Sequence, residues 1–246
     1  MKLFYKISVL IFFLALWFFI NQNHLIKPIF LPKITAVFSS LQEIIFSEYG
    51  LKNIFSTLGR VLIGFFIALS FSVPLGIFLG VFKKIYESLE WFIDFFRSIP
   101  VTAMFPLFLI FFGFGDASKI AMGAWACGFI ILVNTISGVW NSKPNREIMA
   151  KTKKASYFQI LTKITFFEAL PFIFTGIKIG VSWNLIVVIV AEMFIGTRYG
   201  LGRLIYDSSI TLDTPMVFSG IIIIGLIGYF LNQFILILER KIIHWQ

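Results

Sequence analysis

Long apolar runs separated by short polar stretches fill the chain from end to end, and six of them stand out, at 3–20, 61–82, 99–114, 120–140, 172–194 and 217–238. A helix rises 1.5 Å per residue, so a hydrocarbon core of about 30 Å takes roughly 20 residues to cross. The run 3–20 reaches about 27 Å, with Lys6 able to stretch its ammonium to the headgroups. The run 99–114 is the shortest, which predicts that part of the preceding segment continues its helix into the membrane. Two segments between the runs are amphipathic instead. Val37, Leu41, Ile44 and Ile45 recur at helical spacing within 34–49, predicting a helix along the outer face. Within 86–98, Glu87, Glu90, Asp94 and Arg97 oppose Trp91, Phe92, Phe95 and Phe96, the pattern of an interfacial helix.

Small and polar residues qualify this outline. Run 61–82 contains Pro74, tolerated in a membrane helix only where neighbours re-satisfy the freed carbonyl, together with Gly64, Gly76 and Gly80; it should pack against other helices along that side. Run 120–140 gathers Gly123, Ala124, Ala126 and Gly128, a surface that allows close helix approach. Its Asn134 and Thr135 read as interhelical glue, the commoner use, or as pathway residues.

Composition agrees with a membrane chain: 59% of the 246 residues are hydrophobic and only 13% charged, far outside the range of soluble domains. The length holds five or six spans and no second, soluble domain. The formal net charge of +9 is spread over short connections instead of one folded surface, which argues for topology and against nucleic acid. With both termini inside, thirteen lysines and arginines fall on the inner side and seven on the outer, Lys178 being set aside within a span; the positive-inside rule supports that orientation. In this count Arg97 is inner, and Arg60 and Lys119 are outer. The basic start and apolar core of the N-terminus resemble a signal peptide, but NQNHLIKP has no small-x-small cleavage site, so an uncleaved anchor is expected. The single Cys127 excludes an intrachain disulfide and a Cys-rich metal site and reads as a small packing residue.

The longest polar interruption of the second half is 145–171. Glu147 and Lys151 have the favourable i, i+4 order, and no proline or glycine falls between Arg146 and Leu170, predicting one unbroken helix. From the residues alone it either lies on the inner leaflet with its lysines on lipid phosphates or is offered to a cytoplasmic partner.

Around this stretch the chain resembles a family, the transmembrane subunits of ATP-binding-cassette importers that work with a substrate-binding protein, in particular the sulfonate, taurine and nitrate branch. The residues that carry the resemblance include Leu31-Pro32, Leu58-Gly59-Arg60 to Gly64, Pro74-Leu75-Gly76, Arg97-Ser98-Ile99-Pro100, Pro106-Leu107 and Phe112-Gly113-Phe114-Gly115. Further along they include Ala155-Ser156, Gln159-Ile160, Ala169-Leu170-Pro171, Thr175-Gly176, Ala191-Glu192-Met193, Gly200-Leu201-Gly202 and Glu239-Arg240. The family's cytoplasmic signature, Glu-Ala-Ala, three residues, Gly, nine residues, Ile-x-Leu-Pro, matches only at Ala150 and Ile164; its glycine falls on Lys154.

The resemblance implies an all-α, polytopic inner-membrane protein with the type I ABC importer transmembrane fold. Residues 1–246 would form one permease domain, with an anchor helix at 3–20, a core at 58–238 and a coupling segment at 145–171. It further implies a homodimer or a pairing with a close paralogue, cytoplasmic ABC ATPase subunits, and an extracytoplasmic binding protein. The chain would bind no cofactor; ATP would be used by the partner, in keeping with the lack of a Gly-x-x-x-x-Gly-Lys phosphate loop here. The coupling residues implied are Ile148, Met149, Ala150, Thr152, Lys154, Ala155, Ser156 and Phe158. A lysine in place of the glycine would cost about 1 kcal/mol in a left-handed turn, so the family's turn is expected to be absent.

Ionisable groups inside spans mark function by default. Lys178 is either a cation facing an anionic substrate or a lysine snorkelling inward; Glu192 is either a pathway residue or an acceptor for the following loop. Trp183 and Asn184 complete the pathway candidates. A secondary carrier would show an internal repeat with discontinuous helices, and none is evident. A membrane enzyme would need clustered catalytic groups, whereas His24 and His244 lie at opposite ends. The solute that the resemblance implies is a small organic or inorganic anion such as a sulfonate, taurine or nitrate, with a pyrimidine-type vitamin precursor as the alternative within the same family.

Overall fold

The computed structural model describes residues 2–142 and 144–244, and every regular element among them is helical. Helix α1 (Lys2–Gln22) precedes a short loop and α2 (Ile34–Phe46). The chain then turns at Ser47, whose hydroxyl accepts from the Gly50 amide and starts α3 (Glu48–Val81), a 34-residue helix. Helix α4 (Lys83–Ser98) follows, then a tight turn at Val101–Met104 and the short α5 (Phe105–Phe112). After them come α6 (Asp116–Trp140), α7 (Pro144–Thr152), α8 (Tyr157–Ile160), α9 (Phe166–Phe194), α10 (Leu201–Ile210) and α11 (Thr214–Ile242). A wide turn at Leu161–Thr165 joins α8 to α9, so that Tyr157–Phe194 is one long, locally unwound helix.

Three helices make the centre: α6 packs along both α3 and α9. Sequence explains the closeness. Gly64, Ala68, Ser72, Gly76 and Gly80 recur every four residues and place one small stripe on α3. A Cβ on Gly76 would sit 2.6 Å from the Thr135 side chain, and one on Gly80 would sit 2.7 Å from that of Val139. The helix of Pro74 therefore does pack on its glycine-bearing side, through small residues that let backbones approach. Cys127 is fully buried in this core, beside Ile131 and Val181. Helix α11 lies outside the trio against α2, α9 and α10.

Among the described residues four helices are long and apolar enough to cross a membrane: α3, α6, Tyr157–Phe194 and α11. A fifth span results if α4 and Val101–Phe112 are taken together, but that pair is bent by 86°. Of the expected six spans, the described residues thus meet four outright and a fifth through the bent pair. The expected first span, 3–20, falls within α1, an unbroken helix of 21 residues. The expected continuation of the 86–98 helix into 99–114 fails, because Ile99 and Pro100 adopt extended backbone and redirect the chain.

Two boundaries moved for one physical reason. Residues 48–60 and 116–119, read as connections because they carry charge, are the first turns of α3 and α6; their charged groups Arg60 and Lys119 are buried against partners from distant parts of the chain. Removing these two and Arg97, which lies beside Trp125 in the bundle, from the topology count leaves twelve inner against five outer basic residues, so the bias survives.

Candidate functional site

The segment 145–171 is not one unbroken helix. Helix α7 ends at Thr152, and Lys154 takes φ of +58°. The Ala155 amide donates to the Ala150 carbonyl at 3.0 Å and the Lys154 amide to the Lys151 carbonyl at 2.9 Å. These are the two bonds of a Schellman ending, with lysine at the left-handed position where glycine is usual. The turn expected to be missing is therefore present, because two hydrogen bonds outweigh the roughly 1 kcal/mol that a side chain costs there. Ser156 then restarts the helix with a capping box: its hydroxyl accepts from the Gln159 amide at 3.3 Å, and the Gln159 side chain accepts from the Ser156 amide at 2.9 Å.

The result is a helix–turn–helix corner with an apolar outer surface. Ile148, Met149, Tyr157 and Phe158 are all exposed, Phe158 at 71%. Thr152 uses its hydroxyl internally, on the Met149 carbonyl at 2.7 Å, while Ala150 and Ala155 are half-buried at the corner. Arg146 pairs with Glu168 of α9 at 3.0 Å, tying the corner to a core helix. Behind it a gap of about 240 Å³ opens between Lys151, Tyr157 and Ile160 on one side and Gly80, Val81 and Val139 on the other.

The four pathway candidates do not form one site. Lys178 binds the Glu239 carboxylate of α11 at 2.9 Å and is neutralised there. Asn184 is fully buried and donates to the Val61 carbonyl at 2.7 Å, filling the space left by Gly64 and Gly123. Trp183 alone turns to open space. Together with Ile179, Ile186 and Val190, spaced along one face of α9, it lines a cavity of about 520 Å³. The opposite wall is Trp125, Phe129 and Ile130 of α6, and the floor is the broken stretch Phe96–Thr102.

Glu192 belongs to a third place, a polar network at the Asp116 end of α6. Its carboxylate is fully buried, paired with Arg60 of α3, and accepts from the Gly202 amide at 2.9 Å and from the Thr57 hydroxyl. Arg60 also donates to Asp116 at 2.9 Å and to the Thr197 hydroxyl at 2.9 Å. Thr57 and Asn53 accept from the Leu201 and Gly200 amides at 2.9 and 2.7 Å. Lys119, with no exposed surface, donates to the Gly115 and Gly196 carbonyls. The network binds α3, α6, α9 and the loop before α10 into one end-piece, which makes Glu192 the acceptor for the following loop. Sequence reasoning missed Arg60 and Lys119; the available signal was Glu192, an acid in an apolar run that needs a cation.

Among the described residues no three His, Cys, Asp or Glu side chains group as metal ligands. Comparison with known proteins supplies the rest. Residues 72–244 match the family described as "Binding-protein-dependent transport system inner membrane component". The taurine transport system permease protein TauC of Escherichia coli is 30% identical over 246 residues, covering 98% of this chain and 89% of that one. The putative aliphatic sulfonates transport permease protein SsuC of Bacillus subtilis is 28% identical, with 95% and 84% covered. The nitrate import permease protein NrtB of Synechocystis is 30% identical over 191 residues, with 78% and 69% covered. In fold, the chain is similar to the inward-facing MetNI methionine ABC transporter, with a TM-score of 0.71 at 18% identity over 80% of this chain and 99% of that one. The chain therefore belongs to the binding-protein-dependent inner-membrane transport components. It is an all-α polytopic permease subunit with the fold of an ABC importer's membrane part.

Proposed function

We propose that this permease, paired with a second copy or a close paralogue, forms the membrane path of an ATP-driven importer. It would take a small anion from an external binding protein and draw its energy from separate cytoplasmic ATPase subunits. The observation that carries the reading is the corner at Pro144–Ile160. Its exposed Ile148, Met149, Tyr157 and Phe158 lie between two core helices, and such an apolar surface calls for a partner. The corner also runs through the wide turn at Leu161–Thr165 directly into α9, so a push on it is a push on the helix that walls the cavity. The gap behind it leaves room for that movement. An apolar ridge held at a fixed corner, with Arg146 tied to Glu168 of α9, suits the groove of a protein partner.

In this arrangement the polar network around Arg60 and Glu192 marks the outer side and both termini lie in the cytoplasm. The relatives named for taurine, aliphatic sulfonates and nitrate support an anion as solute. Co-expression with the cognate ABC ATPase tests the corner: the wild-type chain should hold the ATPase through purification, and Phe158→Asp should release it at unchanged permease yield. Retention of the ATPase by Phe158→Asp and Met149→Asp together would refute the docking assignment.

A further inference from the structure

Among the described residues Arg97 is the one charged residue lining the 520 Å³ cavity, and its depth makes it notable. Trp125 lies nine residues along α6 from Asp116, and Trp183 lies nine residues along α9 from Glu192. Asp116 and Glu192 share Arg60, so they stand at one level. At 1.5 Å per residue both tryptophans are about 14 Å below that level, close to half of a hydrocarbon core of about 30 Å. The end of α4 sits at the same depth, because the Phe96 ring packs on Trp125 at 5.7 Å. An arginine at mid-membrane is expensive unless it serves something. The chain is broken at that same depth, at Ile99-Pro100, and non-helical backbone at membrane depth is tolerated where it lines a cavity.

The neighbouring charges single out Arg97 further. Lys178 is committed to Glu239, and Glu192 and Asp116 to Arg60. Among the described residues Arg97 pairs only within its own helix, with Asp94 at 2.9 Å, and both side chains are half-exposed. Such open pairs are weak, so an incoming anion can take over the guanidinium, whose planar fork suits a carboxylate or sulfonate. The rest of the wall is Phe96, Trp125, Phe129, Ile179, Trp183 and Ile186, a surface that would leave a bare inorganic ion poorly solvated but would cover an apolar body. A volume of about 520 Å³ is in the range of small-molecule sites.

We propose that this cavity is a binding station inside the membrane for an organic anion, with Arg97 holding the anionic head and Trp125 and Trp183 flanking the body. The assignment rests on the permease reading and narrows its solute from anions in general to organic ones. The test uses the purified permease–ATPase complex without nucleotide, with 4-bromobenzenesulfonate as the probe, because a heavy atom beside Trp125 and Trp183 quenches their fluorescence. Quenching should saturate, Arg97→Gln should weaken it about tenfold or more, and Arg97→Lys should fall between. The neutral 4-bromobenzenesulfonamide should bind weakly and be indifferent to both changes. Equal binding of sulfonate and sulfonamide, unchanged binding in Arg97→Gln, or displacement of the probe by nitrate as readily as by benzenesulfonate would overturn the proposal. ATPase association and hydrolysis by the same complexes are read in parallel: their persistence in a variant that leaves binding unchanged refutes the station alone, and their absence in the wild-type chain refutes the permease reading beneath it.

Discussion

Replacing Glu192 by alanine should be among the most damaging single changes in the chain. The carboxylate is fully buried and satisfies three donors from two helices: Arg60 and the Thr57 hydroxyl of α3 and the Gly202 amide of α10. Its removal leaves the Arg60 guanidinium, itself 5% exposed, with only Asp116 and Thr197, and leaves a buried amide without an acceptor. Breaking a buried ion pair from one side costs about 3–5 kcal/mol, and an orphaned buried donor costs about 1–3 kcal/mol. The two losses share atoms and do not add fully, so about 3–5 kcal/mol is expected for Glu192→Ala. Denaturation of the permease in bicelles, followed by tryptophan fluorescence, measures it. The double variant Arg60→Met/Glu192→Leu should lose less than Glu192→Ala alone, since apolar replacement of both partners removes the stranded charge. A cost below about 1 kcal/mol for Glu192→Ala, or a double variant worse than either single change, would refute the view that this network holds its end of the bundle together.

Three further outcomes follow from the geometry. Gly202→Ala should destabilise by several kcal/mol in the same assay, because its Cβ would lie 2.2 Å from the Ile189 carbonyl oxygen, a backbone atom that cannot step aside. Lys154→Gly should keep ATPase binding and stabilise the corner by about 1 kcal/mol, since glycine adopts the left-handed turn without strain; loss of ATPase binding would show that the lysine side chain itself is read by the partner. Lys178→Met should leave a Glu239 carboxylate unpaired and lower stability by about 1–3 kcal/mol while leaving the solute preference between sulfonate and neutral analogue unchanged; a lost preference would return Lys178 to the pathway.

Much of this was legible in the sequence, and the failures share a cause. Hydropathy located α3, α6, α9 and α11, since an apolar run in a membrane chain has few other fates, and the small-residue stripe of α3 announced its packing side. Arg60 and Lys119 were misplaced into outer connections because a charge reads as solvent-facing until its partner is known, and the partners, Glu192 and the Gly196 carbonyl, lie 132 and 77 residues away. The turn at Lys154 was judged too costly because the residue's own preference was visible while the two hydrogen bonds that repay it were not. Arg97 was assigned to the inner boundary because the 86° bend at Ile99-Pro100, which decides its depth, depends on how α4 packs against Leu79, Leu132 and Ile136.

Coupling through the Pro144–Ile160 corner is most directly tested by sulfonate uptake into proteoliposomes. These would contain the permease, its ATPase and the binding protein, with ATP supplied on the ATPase side and all ion gradients collapsed. Uptake should require ATP and the binding protein and should vanish in Phe158→Asp; uptake that proceeds without ATP along an imposed ion gradient, undiminished by that substitution, would contradict the account and make the chain a carrier of another kind.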